Sequence, residues 1–530
     1  MELLGYAQPC VTHAGEIVDV KVSTTQPGFT AEVVRLGRDA TPAVPAVTGD
    51  FPGRRQELIK GSYLIAELGD EPGESQHSVQ FWFFPTLLGE RQCLMAGFAA
   101  AGGWEVGIGD DRRLSFARLS AGGDVLASAS AGPEIQARRW YFATASWDAA
   151  VLLPTFSYLA YANEHASWER PIKASVGGAG SLVVTDRDRY TSEQRLLSLY
   201  ELHADGSGTC LSSWRRPVLN MRPGYHLPLV KGPHQFSADL ELLQWLEGRG
   251  VDFDVITDDD LHRHGAAALD RYRVVLTGSH PEYVSRPMLD GLDSYLAAGG
   301  RLMYLGGNGF YWVTTAPADD PFVIEVRRGM AGTRVWESPP GEWHQAMTGE
   351  HGGLWRHRGR PPQALAGVGF TAQGFDRSLP YQINAAMDER ARFIIEGIDP
   401  GAPLGGTGSV LGGPAGFEID RADPALGTPA NTVLVASARG FSDAYQGAVE
   451  DITTADSQQG GTVSDLVRSD VVFFETGTGG AVFSVGSIAW CGALRDSRQE
   501  TPVGRMTWNV LSRFLDPTPF ASKDTTWTGM

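Results

Sequence analysis

Two strand-like runs separated by one helix-like segment limit this chain more than any other feature. Tyr272-Arg-Val-Val-Leu-Thr-Gly-Ser-His-Pro-Glu-Tyr283 and Arg301-Leu-Met-Tyr-Leu-Gly-Gly-Asn-Gly-Phe-Tyr-Trp312 each begin apolar and end in a polar cluster. Between them, Met288 to Leu296 repeats apolar residues at helical spacing and stops at Gly299-Gly300. A strand, a helix and a second strand of these lengths make a β-α-β unit, which closes right-handed and pairs its strands in parallel. In an open α/β sheet the crevice beyond the carboxyl ends of the strands takes the ligand. His280, Glu282 and Asn308 are therefore expected to face one crevice.

Other segments fit the same sheet. Ala149-Ala-Val-Leu-Leu-Pro154 is a continuous apolar run of the kind expected for a parallel strand buried on both faces. Phe236 to Leu246, with Ser237 as cap candidate, reads as a helix, and Phe253-Asp-Val-Ile256 as a short strand. The acidic run Asp258-Asp-Asp260 that follows reads as a solvated loop and helix cap. Residues 398–432, rich in Gly, Pro and Asp, read as an ordered loop region and not a core element. Val471 to Glu475 and Ala481 to Val485 flank Gly477-Thr-Gly-Gly480 as a hairpin, and Val503 to Phe514 is an amphipathic closing helix.

Before residue 150 the pattern is β. Gly15 to Val22, Val79 to Phe84 and Trp140 to Trp147 alternate with period two between Gly and Pro punctuation. The expected fold is multidomain: an N-terminal β-sandwich region followed by an α/β open-sheet C-terminal domain of flavodoxin or amidotransferase type. Residues 1–72 are expected as an N-terminal β unit, 73–149 as an abbreviated lectin-like or laminin-G-like sandwich, and 150–530 as the catalytic domain.

With 530 residues, 42% of them apolar, such cores need no disulfide staples. The formal charge of −18 opposes nucleic-acid and anionic-membrane binding. Cys10, Cys93, Cys210 and Cys491 have no disulfide or thiolate-metal spacing and read as reduced, buried residues. The start lacks a basic, apolar leader and no later run approaches a membrane span, so the expected compartment is the cytoplasm.

In extended chain, residues i and i+2 project to one side, so His280 and Glu282 can present an imidazole and a carboxylate together. That suits a general base beside a metal ligand, or equally a polar strand-end turn stiffened by Pro281. Gly306-Gly-Asn-Gly309 has the glycines for a sharp strand-to-helix turn, where Asn308 can donate to an oxyanion; alone it is as readily structural. The elbow carries Asn where Ser or Cys would stand as nucleophile, which disfavours the common triads. Glu418 is a carboxylate flanked by apolar residues, an acid-base candidate or a structural partner of Arg421. Tyr158, Tyr161 and Tyr200 read as core tyrosines, the first two at a carboxyl-end loop. Phe310, Trp312 and Trp343 either narrow a pocket or pack in the core.

Taken in order, Leu153-Pro-Thr-Phe-Ser-Tyr-Leu-Ala-Tyr-Ala-Asn163, Leu197-Ser-Leu-Tyr200, Leu219-Asn-Met-Arg-Pro223, Thr277-Gly-Ser-His-Pro-Glu-Tyr283 and Tyr304-Leu-Gly-Gly-Asn-Gly-Phe-Tyr-Trp312 resemble the large subunit of the N,N-dimethylformamidase family. Gly352-Gly-Leu-Trp-Arg356, Gly367 to Phe375, Phe417-Glu-Ile-Asp-Arg421 and Gly486 to Cys491 continue the likeness. It is dense from about residue 150 onward and looser before, where the β part looks abbreviated. The resemblance implies hydrolysis of small formamides at a mononuclear Fe(III) held by two tyrosines and a glutamate, on a large subunit that associates with a separate small one in a homo- or hetero-oligomer. Matched by motif, Glu282 is the carboxylate ligand, Tyr200 one phenolate and Tyr161 the other, with Tyr158 as its rival. His280, Asn308 and Glu418 match positions near the metal.

Hard phenolate and carboxylate oxygens suit Fe(III), and three ligands leave room for water and an amide oxygen. Glu418 or His280 is expected to take the water proton and return it to the departing amine, with Asn308 steadying the oxyanion. The other readings are a related hydrolase acting on another small or N-formyl amide, and a non-catalytic binding or assembly protein on an amidotransferase-like scaffold.

Overall fold

The computed structural model describes residues 149–520 apart from 165–185, 252, 318–319, 321, 332–335, 337, 340, 448–458, 497–498 and 517, together with separate strand-rich stretches between residues 3 and 145. Chain contacts divide it into two units, residues 2–147 and 148–530.

The first unit is built of antiparallel sheets. Leu3–Gln8 and Ser62–Leu64 flank Val18–Thr24. Gln92–Ala99, Gly102–Ile108, Leu114–Ser120 and Val125–Ala131 follow one another as a four-stranded meander, and Val79–Phe83 pairs with Tyr141–Ala145. Cys10, the boundary expected near residue 72, and Trp140 and Trp147 lie outside the described residues.

The second unit centres on eight strands. Their spatial order is Asp254–Thr257, Ala149–Leu153, Val274–Thr277, Arg301–Tyr304, Ala481–Ser484, Ser469–Glu475, Val433–Ala438 and Gln382–Ile383. The first five are parallel and the remaining pairings antiparallel. From Ala149–Leu153 the chain goes first to the neighbour on one side and then to the neighbour on the other. This reversal opens a crevice at the carboxyl ends.

Strand periodicity distributes the core over both faces of this sheet. Ala149, Val151 and Leu153 join one apolar cluster, with Val274, Leu276 and Met303; Ala150 and Leu152 join another, with Val275 and Leu302. The helices Phe236–Gly248 and Pro502–Leu515 cover the first face through Leu242, Trp245, Leu246, Met506 and Val510. Asp258–His264 and Arg286–Ala297 cover the second through Leu261, Met288, Leu289 and Leu292. Both faces are thus buried, and the strands need no polar alternation.

Three local expectations change. The Asp258-Asp-Asp260 run is the first turn of a helix, not a loop. Thr257 Oγ1 accepts from Asp260 N, and the Asp260 carboxylate accepts from Thr257 N, a reciprocal cap. Asp258 is buried and accepts from Phe156 N at 3.0 Å. The Gly-rich stretch 398–432 contains a buried strand, Ala415–Arg421, paired antiparallel with Gly369–Leu379. Its glycines admit close neighbours and do not break the element.

The third change concerns Gly306-Gly-Asn-Gly309, which leads to the strand Trp312–Thr315 and not to a helix. Its glycines serve close approach. A Cβ on Gly306 would lie 2.4 Å from Ser279 O, and one on Gly307 would lie 2.7 Å from Glu418 O and 2.8 Å from Ile488 N. Backbone obstacles of this kind cannot rotate away. Gly307→Ala should therefore destabilise the protein by about 1–3 kcal/mol, read as a lowered denaturant midpoint; an unchanged midpoint would refute this packing.

Candidate active site

Tyr161, His280, Glu282 and Asn308 sit just past the ends of parallel strands. Ala149–Leu153 passes through Pro154 into a short helix, Thr155–Ala160, that Tyr161 caps. Ser157 on this helix accepts from Glu282 N at 3.0 Å and Tyr283 N at 3.2 Å, tying the end of the next strand's loop to the first. Asn308 follows the third strand with a left-handed φ of 48°, and its N–H donates to Asp420 Oδ1 at 2.8 Å. Phe310, Phe417 and Gln235 around it also have φ between 55° and 67°. Such backbone is costly for side chains with a Cβ and persists only where surrounding contacts hold it. Glu418 arrives on Ala415–Arg421, docked beside Gly486 and Ser487 just past the Ala481–Ser484 strand. Tyr200 arrives from a loop held by Leu199 N donating to Ala160 O at 3.0 Å.

These elements converge on the Glu282 carboxylate. Trp312 Nε1 donates to its Oε1 at 3.0 Å and Asn308 Nδ2 at 3.1 Å. Its other oxygen, Oε2, lies 2.7 Å from Tyr161 Oη, 3.4 Å from Tyr200 Oη and 3.3 Å from His280 Nε2. The Tyr161 and Tyr200 rings are 4.6 Å apart. Glu418 Oε2 stands 3.1 Å from the same His280 nitrogen and accepts from Asn308 Nδ2 at 2.9 Å. On the far side of the imidazole, Gln235 Nε2 is 3.0 Å from His280 Nδ1.

Two expected roles change with this geometry. Both amide hydrogens of Asn308 are taken by carboxylates, and its buried Oδ1 is the atom without a hydrogen-bond partner. Two neighbouring carboxylates exclude the flipped amide, so Asn308 is an acceptor here and not the oxyanion donor expected of it. Glu418 does not pair with Arg421, whose guanidinium bonds Asp423 at 2.7 Å. Tyr158 is separated from the cluster: its hydroxyl donates to Asp239 at 2.5 Å.

Burial pushes Glu282 up to about 7; His280 opposes this and Glu418 adds to it. Burial and then Glu282 raise the Tyr161 and Tyr200 phenols well above their usual value. For His280, burial disfavours the cation, but Glu418 and Glu282 outweigh it and raise the imidazole. The pocket thus sets Tyr161, Tyr200, Glu282, Glu418 and Asp420 against two basic side chains, His280 and Arg328. An excess of buried acidic oxygens is the environment that a hard cation relieves. Among the described residues no group of three or more His, Cys, Asp or Glu forms such a centre. Two phenols and one carboxylate do converge, and that set fits a trivalent oxygen-loving ion.

The family model for "N,N-dimethylformamidase beta subunit-like, C-terminal" matches residues 138–502. The chain belongs to this family. Its relatives include the N,N-dimethylformamidase beta subunit of Paracoccus aminophilus, 42% identical over 374 residues, which are 70% of this chain and 49% of the relative. The beta subunit from an Alcaligenes species is 41% identical over 381 residues, 71% of this chain and 50% of that protein. The chain spans about half the length of these relatives.

The matched range 138–502 includes the residues that build the crevice, yet several of its contacts carry no local signal. Gln235, Asp420 and Arg328 lie in no recognisable spacing with His280 or Glu282. Trp312 and Tyr283 were visible only as aromatic residues inside longer motifs. Asp420 is the firmest support of the Asn308 turn, accepting from Asn308 N and, at 2.8 Å, from Tyr304 Oη. Burial lifts it to about 7. The folded protein therefore holds a proton that the unfolded chain has released once pH exceeds the ordinary carboxylate range, and this contribution to stability is lost as pH rises toward about 7. Asp420→Asn, which keeps one acceptor oxygen for Asn308 N, should flatten that decline in urea midpoints between about pH 5 and about pH 8; an equally steep decline in the variant would refute the assignment.

Proposed function

We propose that this chain hydrolyses the C–N bond of small N-substituted formamides, of which N,N-dimethylformamide is the type, releasing formate and an amine. The observation that carries the reading is the convergence of Tyr161, Tyr200 and Glu282 oxygens beside His280 and Glu418, in a chain whose relatives are named N,N-dimethylformamidase beta subunits. That name also supports a separate partner subunit. Tyr161, Tyr200 and Glu282 would hold a mononuclear Fe(III), with Glu282 using Oε2 because Trp312 and Asn308 occupy Oε1. When bound, the ion supplies Lewis acidity to the amide carbonyl and acidifies water.

The side chains of the crevice do the rest. Glu418 is the proton acceptor for the attacking water, and His280, between Glu418 and Glu282, carries the proton across to the departing nitrogen. The Asn308 Oδ1 accepts a hydrogen from the same water and aims its lone pair at the carbonyl carbon. Water adds to that carbon, the C–N bond breaks, and the proton first removed from water ends on the amine. Buried aromatic rings of Tyr161 and Phe417 keep bulk water away and favour a small, weakly polar amide.

Purified protein should contain about one iron per chain and show a phenolate-to-iron absorption band. Glu282→Gln should lose iron, band and activity together. Amidase activity in a metal-free, colourless preparation would sink the tyrosine-ligand proposal. Glu418→Gln, by contrast, should keep iron while kcat falls on the order of a hundredfold to ten-thousandfold; single-turnover rates close to those of the unmodified protein would remove Glu418 from the proton path.

A further inference from the structure

Arg328 has no exposed surface, and none of the ion pairs found among the described residues includes it. A buried guanidinium is costly unless its charge is met by other means. Here three aromatic faces surround it, with its central carbon 4.5 Å from the Trp312 ring centroid, 4.9 Å from Tyr200 and 5.6 Å from Trp336. Nη2 also donates to Leu199 O at 3.1 Å and to Tyr283 Oη at 3.3 Å. Although burial disfavours the cation, Tyr283 and Tyr200 more than restore it.

Between two neutral phenols the next bond can run either way. Tyr283 Oη lies 2.6 Å from Tyr200 Oη. Arg328 can only donate, so the Tyr283 oxygen receives, and the single hydroxyl hydrogen of Tyr283 is free to point at Tyr200. A phenolate at Tyr200 has no hydrogen and must accept. Tyr283 is therefore placed to donate to a Tyr200 oxygen that has exchanged its proton for a metal. Trp312 completes the layer: it pairs with Tyr283 across the parallel bridge, and its indole N–H holds Glu282 Oε1. One guanidinium thus stands behind two of the three residues that would hold the metal.

We propose that Arg328 and Tyr283 form a donor relay that tunes and orients the Tyr200 oxygen as a metal ligand. The inference rests on the reading of Tyr200 as a ligand. Both are positioning residues, since neither touches the reacting atoms. A hydrogen bond into a phenolate oxygen draws charge from it and lowers the energy of its π electrons, so the ligand-to-iron absorption lies at shorter wavelength than it would without the relay.

The test uses the iron-loaded full chain. Tyr283→Phe removes one oxygen and keeps the ring. Its absorption maximum should move to longer wavelength, or its hold on iron should weaken by about tenfold to a hundredfold. Arg328→Met should move the band the same way; if that variant does not fold, Tyr283→Phe decides alone. A Tyr283→Phe protein with an unmoved band and unchanged iron affinity overturns the relay. Failure of the metal reading itself is distinct, because it appears in the unmodified protein as absence of iron and colour.

Discussion

A single buried carboxylate sets the terms for the surrounding structure. Glu282 is almost without solvent, so both of its oxygens must be met by the protein or by a bound cation. Its Oε1 is met by Trp312 and Asn308. Its Oε2 faces Tyr161, Tyr200 and His280. Those five residues come from the ends of three parallel strands, from the strand beyond the Gly-rich turn and from a distant loop. Satisfying one charge therefore requires several elements to meet within hydrogen-bond distance, which is a stricter demand than apolar packing makes.

The backbone around the carboxylate bears the cost of that meeting. Asn308, Phe310, Phe417 and Gln235 adopt left-handed conformations that non-glycine residues ordinarily avoid. Gly306 and Gly307 allow two loops to approach more closely than any side chain permits. Strain and close approach lie together at the crevice, while the strands that lead to it are regular and fully buried. This division suits a site held by a rigid scaffold, in which ordinary sheet packing stabilises a few unfavourable local geometries.

In the proposed reaction the polar layer around the crevice has a part that meets the water and amide and a part that does not. His280, Glu418 and the Oδ1 of Asn308 belong to the first. Arg328, Tyr283, Trp312 and Asp420 belong to the second, each holding a residue of the first layer or a proposed ligand in place. Because Asn308 gives both hydrogens to carboxylates, its role in the proposed reaction changes from stabilising a developing anion to accepting from water. The distinction comes from counting donors, and no motif comparison would supply it.

The sequence by itself determined the elements whose periodicity is local. The Ala149–Leu153, Val274–Thr277 and Arg301–Tyr304 strands, the Arg286–Ala297 helix and the terminal hairpin all follow from apolar spacing and Gly or Pro stops within a dozen residues. It also determined that His280, Glu282 and Asn308 lie past adjacent strand ends, because a β-α-β unit runs its two strands in parallel with both carboxyl ends at one edge. Tertiary structure alone decided which tyrosine faces Glu282: Tyr158 and Tyr161 are three residues apart on one helical turn, and only packing sends Tyr158 to Asp239 and Tyr161 to the crevice. It likewise brought Glu418 to His280 across a stretch that reads as loop, and Arg328 behind Tyr200. Contacts between residues a hundred positions apart depend on how whole elements pack, and short-range spacing carries no record of them.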